Sequence, residues 1–409
     1  MKPTTVLITA AGSAAAPAAL QSLRAHGCRV AACDLYPRAW NLTSTEADAF
    51  FQAVPATDAP AYLNQLEAEA RRQGIDFILP LTDVEVDVLC GQKERFAAAG
   101  CTLCVPDAPA ARLCRDKLAM TRAIEAAGIC DTIPTFSPYG VEPRADAYPL
   151  LLKPLRGRSS QGKTVARDAD AYHAALSQRR DYIAQPFLQG DIYTVDVARD
   201  RLGRTHCLAR RELLRTPNGL GTTVRVLPGH PLEAVCERIA ALAGVVGVVN
   251  MEFIVQPERA FFLEVNPRLS GGVGFSLAAG MDFPYWAVLC HQGEADARGS
   301  SVPSCGEVQG ARGSSVPPCG EAPADTRGSS VPLCGEAQDA RGSSVPSCGK
   351  APADARSSSV PLCGETPADA RGSSVPLCGE APSRGCLPPR PPVASATFAR
   401  RVTPIVTEN

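Results

Sequence analysis

Much that would assign a function quickly is missing from this sequence. Histidine occurs only five times in 409 residues, and no Ser-His-Asp grouping is visible, which leaves catalysis by an activated serine without support. An excess of charge of one sign is also missing. The 41 basic and 42 acidic residues give a formal net charge of −1, so electrostatics offers no reason to expect nucleic acid or an anionic membrane as partner. No apolar run approaches the ~20 residues that a bilayer span requires. An intact G-x-G-x-x-G is absent. Ala-Ala-Gly-Ser at 10–13 is a degenerate version, which makes a dinucleotide site there weak. Cysteine is plentiful, at 17, but zinc spacing is not: Cys101 and Cys104 form one CxxC with no second pair. The thiols of the folded part therefore read as buried structural cysteines in a reducing cytoplasm. Val-Leu-Ile-Thr-Ala-Ala near the N-terminus is too short and Ala-rich for a signal peptide and continues into a strand–turn–helix.

What is present is length enough for two or three domain-sized cores, and one informative stretch from Asn250 to Gly274. Met251–Val255 and Ala260–Val265 read as strands around a turn at Gln256–Arg259, with Pro257 marking the turn. Alternation puts Asn250 and Glu252 on one face of the first strand, and Glu264 and Asn266 on one face of the second. If the hairpin closes with a three-residue loop, Glu252 lies opposite Glu264. Cross-strand carboxylates repel, and a hard divalent cation that also takes phosphate oxygens offsets them. Arg268 follows with a guanidinium suited to bidentate phosphoryl contact. A solvent-facing hairpin is the bland alternative, but Phe-Phe-Leu-Glu-Val-Asn-Pro-Arg is too apolar for that, and the stretch reads as a metal–nucleotide site.

Met-Glu-Phe followed by Phe-Leu-Glu-Val-Asn-Pro-Arg-Leu-Ser-Gly-Gly resembles the metal-binding end of the ATP-grasp superfamily, in its carbamoyl-phosphate-synthase-like and carboxylate–amine ligase branches. The resemblance implies that Glu252, Glu264 and Asn266 hold Mg²⁺, with Mn²⁺ as a substitute, and that Arg268 stabilises the transferred phosphoryl group.

The chain on either side can be asked for the remaining parts. Residues 5–34 read strand, turn, helix and strand, with Asp34 ending the second strand. Helix Ala59–Gln73, strand Asp76–Pro80, helix Val84–Ala99 and strand Thr102–Val105 continue the alternation. This pattern gives a parallel doubly wound sheet whose ligands sit beyond the strand ends, where Thr82, Asp83 and Glu85 lie; Asp83 reads equally as a helix cap. The region resembles the superfamily's pre-grasp domain. Lys117, near the start of a helix Asp116–Gly128, corresponds to a basic residue that in the superfamily approaches the nucleotide phosphates; a solvated lysine is the other reading. Pro-Leu-Leu-Leu-Lys-Pro is a buried strand ending in Lys153, whose ammonium needs an anion to offset desolvation. The Gly- and Ser-rich basic loop after it suits a polyphosphate cover. By resemblance Lys153 meets the α-phosphate and adenine edge, and Gly157, Ser159, Ser160 and Gly162 belong to the phosphate lid. A strand stopping at Gln185-Pro186 leaves free backbone groups, and the superfamily's hinge implies an adenine pocket lined by Gln185, Phe187 and Leu188. Where the family holds ribose with an acid just before the tyrosine, this chain has Ile192; Asp191, one position earlier, is the candidate substitute. Arg210, Arg211 and Arg215 lie on a predicted antiparallel meander. One of them, with Arg211 the choice, faces the acyl phosphate or the substrate carboxylate, against the alternative of a solvated basic face.

From residue 294 to 390 the composition changes. The unit Ala-Arg-Gly-Ser-Ser-Val-Pro-x-Cys-Gly-Glu recurs six times at fourteen- or fifteen-residue spacing, with single departures at Thr326, Lys350 and Ser357, and with its valines at Val302, Val316, Val331, Val345, Val360 and Val375. Each unit holds too little apolar surface to order its backbone, so the tract reads as a disordered insertion. Strand character returns within 391–409. The expected organisation is α/β plus α+β: a Rossmann-like pre-grasp domain over 1–112, a small ATP-grasp lobe over 113–190, a large lobe over 191–293, the repeats, and a terminal strand rejoining the ATP-grasp domain. The activity this implies is ATP- and Mg²⁺-dependent joining of a small carboxylic acid to an amine, amino acids among them, through an acyl phosphate. Homo-oligomerisation stays open. Two competing readings also stay open: an ATP-binding regulatory protein without turnover, and a Rossmann-type oxidoreductase.

Overall fold

The structure, a computed structural model, describes residues 3–157, 161–296 and 396–399. Ser159, Ser160 and the repeat tract from residue 297 lie outside the described residues. At the N-terminal end, β1 (Thr5–Ile8), β2 (Arg29–Asp34), β3 (Ala49–Gln52), β4 (Phe77–Leu79) and β5 (Thr102–Leu103) make an all-parallel sheet in the order β3-β2-β1-β4-β5. Every residue of β1 is buried, the continuous apolar run required of a central strand covered on both faces. Strand order reverses at β1, so a crevice opens at the carboxyl ends of β1, β2 and β4.

Local chemistry sets the helix ends. Asp58 accepts from the Ala61 amide at the start of helix Ala59–Gln73, and Gly74 closes it at φ 61°. The helix Asp83–Leu89 opens with a capping box made by Thr82 and Glu85. Thr82 is thus the cap, and Asp83 is left to point elsewhere. The single helix expected over Val84–Ala99 is two, Asp83–Leu89 and Lys93–Ala98, interrupted around Gly91.

The rest of the fold is a small and a large sheet. Here β6 (Asp131–Thr132) precedes the small antiparallel sheet of β7 (Leu150–Pro154), β8 (Thr164–Ala166) and β9 (Tyr182–Pro186), ordered β8-β7-β9. The large sheet adds β10 (Asp191–Arg199), β11 (Thr205–Arg215), β12 (Gly221–Leu227), β13 (Gly247–Val255), β14 (Ala260–Asn266) and β15 (Ala396–Ala399). Its order is β15-β12-β11-β10-β13-β14-β6, antiparallel except for β14 against β6. Across the repeats in sequence, β15 pairs with Thr223–Val226 of β12.

Burial divides the molecule differently from chain order. Val6, Ile8, Leu20 and Leu23 of the N-terminal domain share one cluster with Phe283, Trp286 and Leu289 of helix Phe283–Asp296, and with Val224 and Val248 of the large sheet. The small sheet keeps a core of its own around Leu150, Leu152, Tyr172 and Tyr182. The shared seam is tight at Gly247. Its φ is +116°, and a Cβ there would lie 2.7 Å from the His291 ring. Gly247→Ala is therefore expected to destabilise the fold by about 2 kcal/mol or more. Differential scanning calorimetry checks this, and an unchanged melting temperature refutes it.

Candidate active site

The hairpin β13–β14 pairs Glu252 with Glu264 and Asn250 with Asn266. It does so by a route other than the expected three-residue loop. Gln256 and Arg259 exchange backbone hydrogen bonds around a two-residue turn, Pro257-Glu258, and the register shifts by one between Glu252 and Phe253. Leu263 is the unpaired residue of this bulge. Plain alternation would put Glu264 on the same side as Phe262, which packs in the core with Phe253 and Val265. The bulge changes the phase, so that Leu263 and Glu264 both face away from that core.

The carboxylates then draw in cations from several elements. Arg215, near the end of β11, donates to Glu252 at 3.1 Å and lies 2.9 Å from Glu212. Lys117, at the start of helix Lys117–Ala126, sits 3.3 Å from Glu264 and reaches the Gly157 carbonyl at 3.4 Å. Burial, together with repulsion from Glu264, holds the Glu252 carboxyl above its ordinary value. Burial also pushes the Glu264 carboxyl up, but Lys117, Lys153 and Lys163 outweigh it and hold it down at about 2. Lys153 is 2% exposed, and burial brings its ammonium down to about 7 despite the attraction of Glu264.

The carboxylates and Arg215 border one cavity of about 850 Å³ that runs from the hairpin to the strand ends of the N-terminal sheet. Glu252, Glu264, Asn266 and Arg268 all line it, as do Lys163, Arg210 and Arg215. Among the described residues no group of three His, Cys, Asp or Glu gathers as a metal centre. Two opposed acids and one amide oxygen are too few for an all-protein cage. They fit Mg²⁺, which completes its shell with phosphate and water.

The structure separates some other expected residues from this cavity. Arg211 does not line it. It alternates outward from Arg210 on β11 and lies 3.0 Å from Asp191, with both side chains partly exposed. Asp191, the ribose candidate, is therefore already paired and also stands outside the cavity lining. On the small sheet Gln185 pairs with Leu151, two residues before Lys153, so Gln185 and Lys153 share a face. Gln185 donates to Thr135 at 2.6 Å. The Phe187 amide binds the Pro149 carbonyl, and Leu188 packs against Ile133, Ile254, Phe261 and Leu263. Gly157 and Gly162 close over Pro154, with hypothetical Cβ atoms 3.2 and 3.1 Å from its ring; the Gly162 φ is +70°.

Two features stood in the sequence only as candidates among neighbours. Arg210, 1% exposed, is bound by Asp196, Ser270 and Ser276, and Asn250 also donates to Asp196. This network pins Ser270 and the start of the helix Val273–Ala278, which follow Arg268. The second is Asp83, which accepts from Arg268 at 2.9 Å and lies 3.5 Å from Arg115, 185 residues from its first partner. Strand alternation with Asp196 could have singled out Arg210; nothing local marks the Asp83–Arg268 pair.

Comparisons with known proteins follow this division. A family model described as "ATP-grasp in the biosynthetic pathway with Ter operon" matches residues 178–309, and one described as "PylC-like, N-terminal domain" matches residues 6–105. The formate-dependent phosphoribosylglycinamide formyltransferase of Solidesulfovibrio magneticus is 26% identical over 291 residues, covering 65% of this chain and 69% of that protein. The carbamoyl phosphate synthase large chain of Myxococcus xanthus is 29% identical over 164 residues, which are 36% of this chain but 15% of that one. In fold, the chain is similar to Campylobacter jejuni biotin carboxylase in complex with a βγ-ATP ligand, at TM-score 0.58 and 20% identity, covering 73% and 72% of the two chains. It is also similar to the L-amino acid ligase of Bacillus licheniformis, at TM-score 0.55 and 14% identity, covering 69% and 73%.

The Lys153 ammonium supplies a pH test. Below pH 7 it is charged and ready for a phosphate. Above pH 7 the free protein has lost that proton, and binding must take one up. Affinity for a nonhydrolysable ATP analogue is thus expected to weaken by up to about tenfold per pH unit above 7, with proton uptake. Titration calorimetry in buffers of different ionisation enthalpy measures both, and flat affinity from pH 6.5 to 8.5 refutes the assignment.

Proposed function

The chain belongs to the ATP-grasp superfamily, on its carboxylate–amine ligase side, and from that premise we propose that it joins a small carboxylic acid to an amine through an acyl phosphate. The observation that carries the reading is the half-buried Glu252/Glu264 pair with Asn266, facing a cavity and ringed by lysines from other elements. A carboxylate oxygen of the acid attacks the γ-phosphorus of ATP, the bond from that phosphorus to the β-bridging oxygen breaks, and ADP leaves. The amine nitrogen then attacks the acyl carbon, and phosphate departs as the amide forms.

Lys117, Lys153 and Lys163 hold the polyphosphate, with Gly157 and Gly162 beside it. Gln185 reads the adenine edge beside Lys153, and Phe187 and Leu188 border the base. Glu252, Glu264 and Asn266 would hold Mg²⁺, which when bound neutralises charge on the phosphates; Mn²⁺ is the alternative occupant to test. Arg268 faces the transferring phosphoryl group, kept in place by Asp83. Arg215, which lines the cavity, takes the acyl-phosphate role expected of Arg211. The protein contributes positioning and charge neutralisation, as in other phosphoryl transfers. Amino acids are candidate substrates for either half. A cytoplasmic site of action accords with the ten described cysteines, none of which forms a disulfide. Among the described residues no helix is long and apolar enough to cross a membrane.

Glu264→Gln removes one metal oxygen and leaves the lysines without their counter-charge. It is expected to lower kcat/KM for Mg-ATP about a hundredfold or more while circular dichroism stays native. The measurement is ADP release in the presence of mixed acids and amines. Unchanged turnover in the variant overturns the site. Tight ATP binding by the unsubstituted protein without ADP release from any mixture makes it a binding protein instead.

A further inference from the structure

The cavity is larger than the chemistry at its hairpin end needs. Its lining omits Lys153, Gln185, Phe187 and Leu188, so the base and ribose of the nucleotide are not what fills it. About 850 Å³ is in the upper part of the roughly 300–1,000 Å³ range of pockets that hold drug-sized molecules. Its far end is built by the loops after β2 and β3 of the N-terminal sheet. There Leu35, Tyr36 and Trp40 are 49%, 55% and 62% exposed although they line the cavity, as do Ala53 and Val54. The Tyr36 and Trp40 rings stack on each other, with centroids 5.3 Å apart and planes 17° apart.

The carboxylates at this end are already answered. The Asp34 carboxylate accepts from the Gly12 and Tyr36 amides at 2.7 and 3.0 Å. Glu85 is taken by Tyr62 and by the Thr82 amide and hydroxyl. Asp83 holds Arg268. Apolar ring surface is what this wall still offers, and stacked aromatics of this kind favour another flat apolar group laid against them.

We infer that one of the two substrates carries a ring or similarly bulky apolar body that lies on Tyr36 and Trp40 while its reacting group reaches Arg268 and the acidic hairpin. The substrate class is then an aryl-bearing or comparably hydrophobic acid or amine, and not an acid or amine of formate or glycine size. The assignment of acid and amine rests on the ligase reading; the apolar subsite itself does not.

Two arms place the ring. ADP release is compared for 3-phenylpropionate against acetate, each with glycinamide, and for phenethylamine against methylamine, each with acetate. One ring-bearing partner is expected to raise kcat/KM at least about tenfold over its ringless counterpart, and Trp40→Ala is expected to erase most of that ratio by raising KM. Equal kcat/KM in both arms, or a ratio that survives Trp40→Ala, overturns the subsite. Binding is read separately, so that failure of turnover does not mask the result. The chain has two tryptophans, and Trp286 is 3% exposed, so solvent-sensitive emission reports on Trp40. With Mg²⁺ and a nonhydrolysable ATP analogue present, 3-phenylpropionate or phenethylamine is expected to give a saturable blue shift, weakened by Tyr36→Ala. Absence of any shift with either compound refutes the subsite. A shift without ADP release from any mixture supports the subsite and counts against the ligase reading alone.

Discussion

Two carboxylates set face to face across a hairpin are the constraint on which the rest of this structure turns. Unit charges about 5 Å apart at an effective dielectric near 20 repel by roughly 3 kcal/mol. Glu252 and Glu264 are kept there only because cations arrive from four separate places. Lys117 comes from the helix after the N-terminal domain, Lys153 from the end of β7, Lys163 from the segment leading into β8, and Arg215 from β11. With Glu212 also at Arg215, three acids face four cations, and the buried Lys153 ammonium is left in want of an anion. A phosphate-bearing ligand supplies it.

The part of this site that rests on periodicity was legible in the sequence. Alternating apolar residues around Pro257 give the hairpin, and Phe-Leu-Glu-Val-Asn gives the shared face of Glu264 and Asn266. The mechanism of the register was not legible, because a two-residue turn plus a bulge and a three-residue loop give the same pairing at Glu252. The break around Gly91 was not legible, since amphipathic periodicity runs through it, and the helix Ala108–Arg115, which ends where Asp116 caps the helix beginning at Lys117, carried no expectation. The short strand Ala49–Gln52 carries too few residues to declare itself before β2 is present to pair with it.

Choices among neighbouring residues of one type depended on tertiary contacts. Arg210 and Arg211 differ only in which side of β11 they occupy, yet one is held in a buried Asp196–Ser270–Ser276 network and the other pairs with Asp191 at the surface. Asp83 looks like a cap until Thr82 and Glu85 take that role, and its guanidinium partners then come from Arg115 and from Arg268, far along the chain. The nearly neutral composition says nothing of this, because charge is balanced locally around the cavity and not only in the total.

The bulge has a mechanical side as well. Leu263, the extra residue whose insertion turns Glu264 toward the cavity, packs in a small apolar cluster with Ile133, Ile254 and Phe261, against Leu188. Ile133 and Leu188 stand where the chain enters and leaves the small lobe, whose own core is separate from this cluster. Both crossings are therefore gripped one residue away from an acid of the site, so a swing of the small lobe and a displacement of Glu264 share a single pivot.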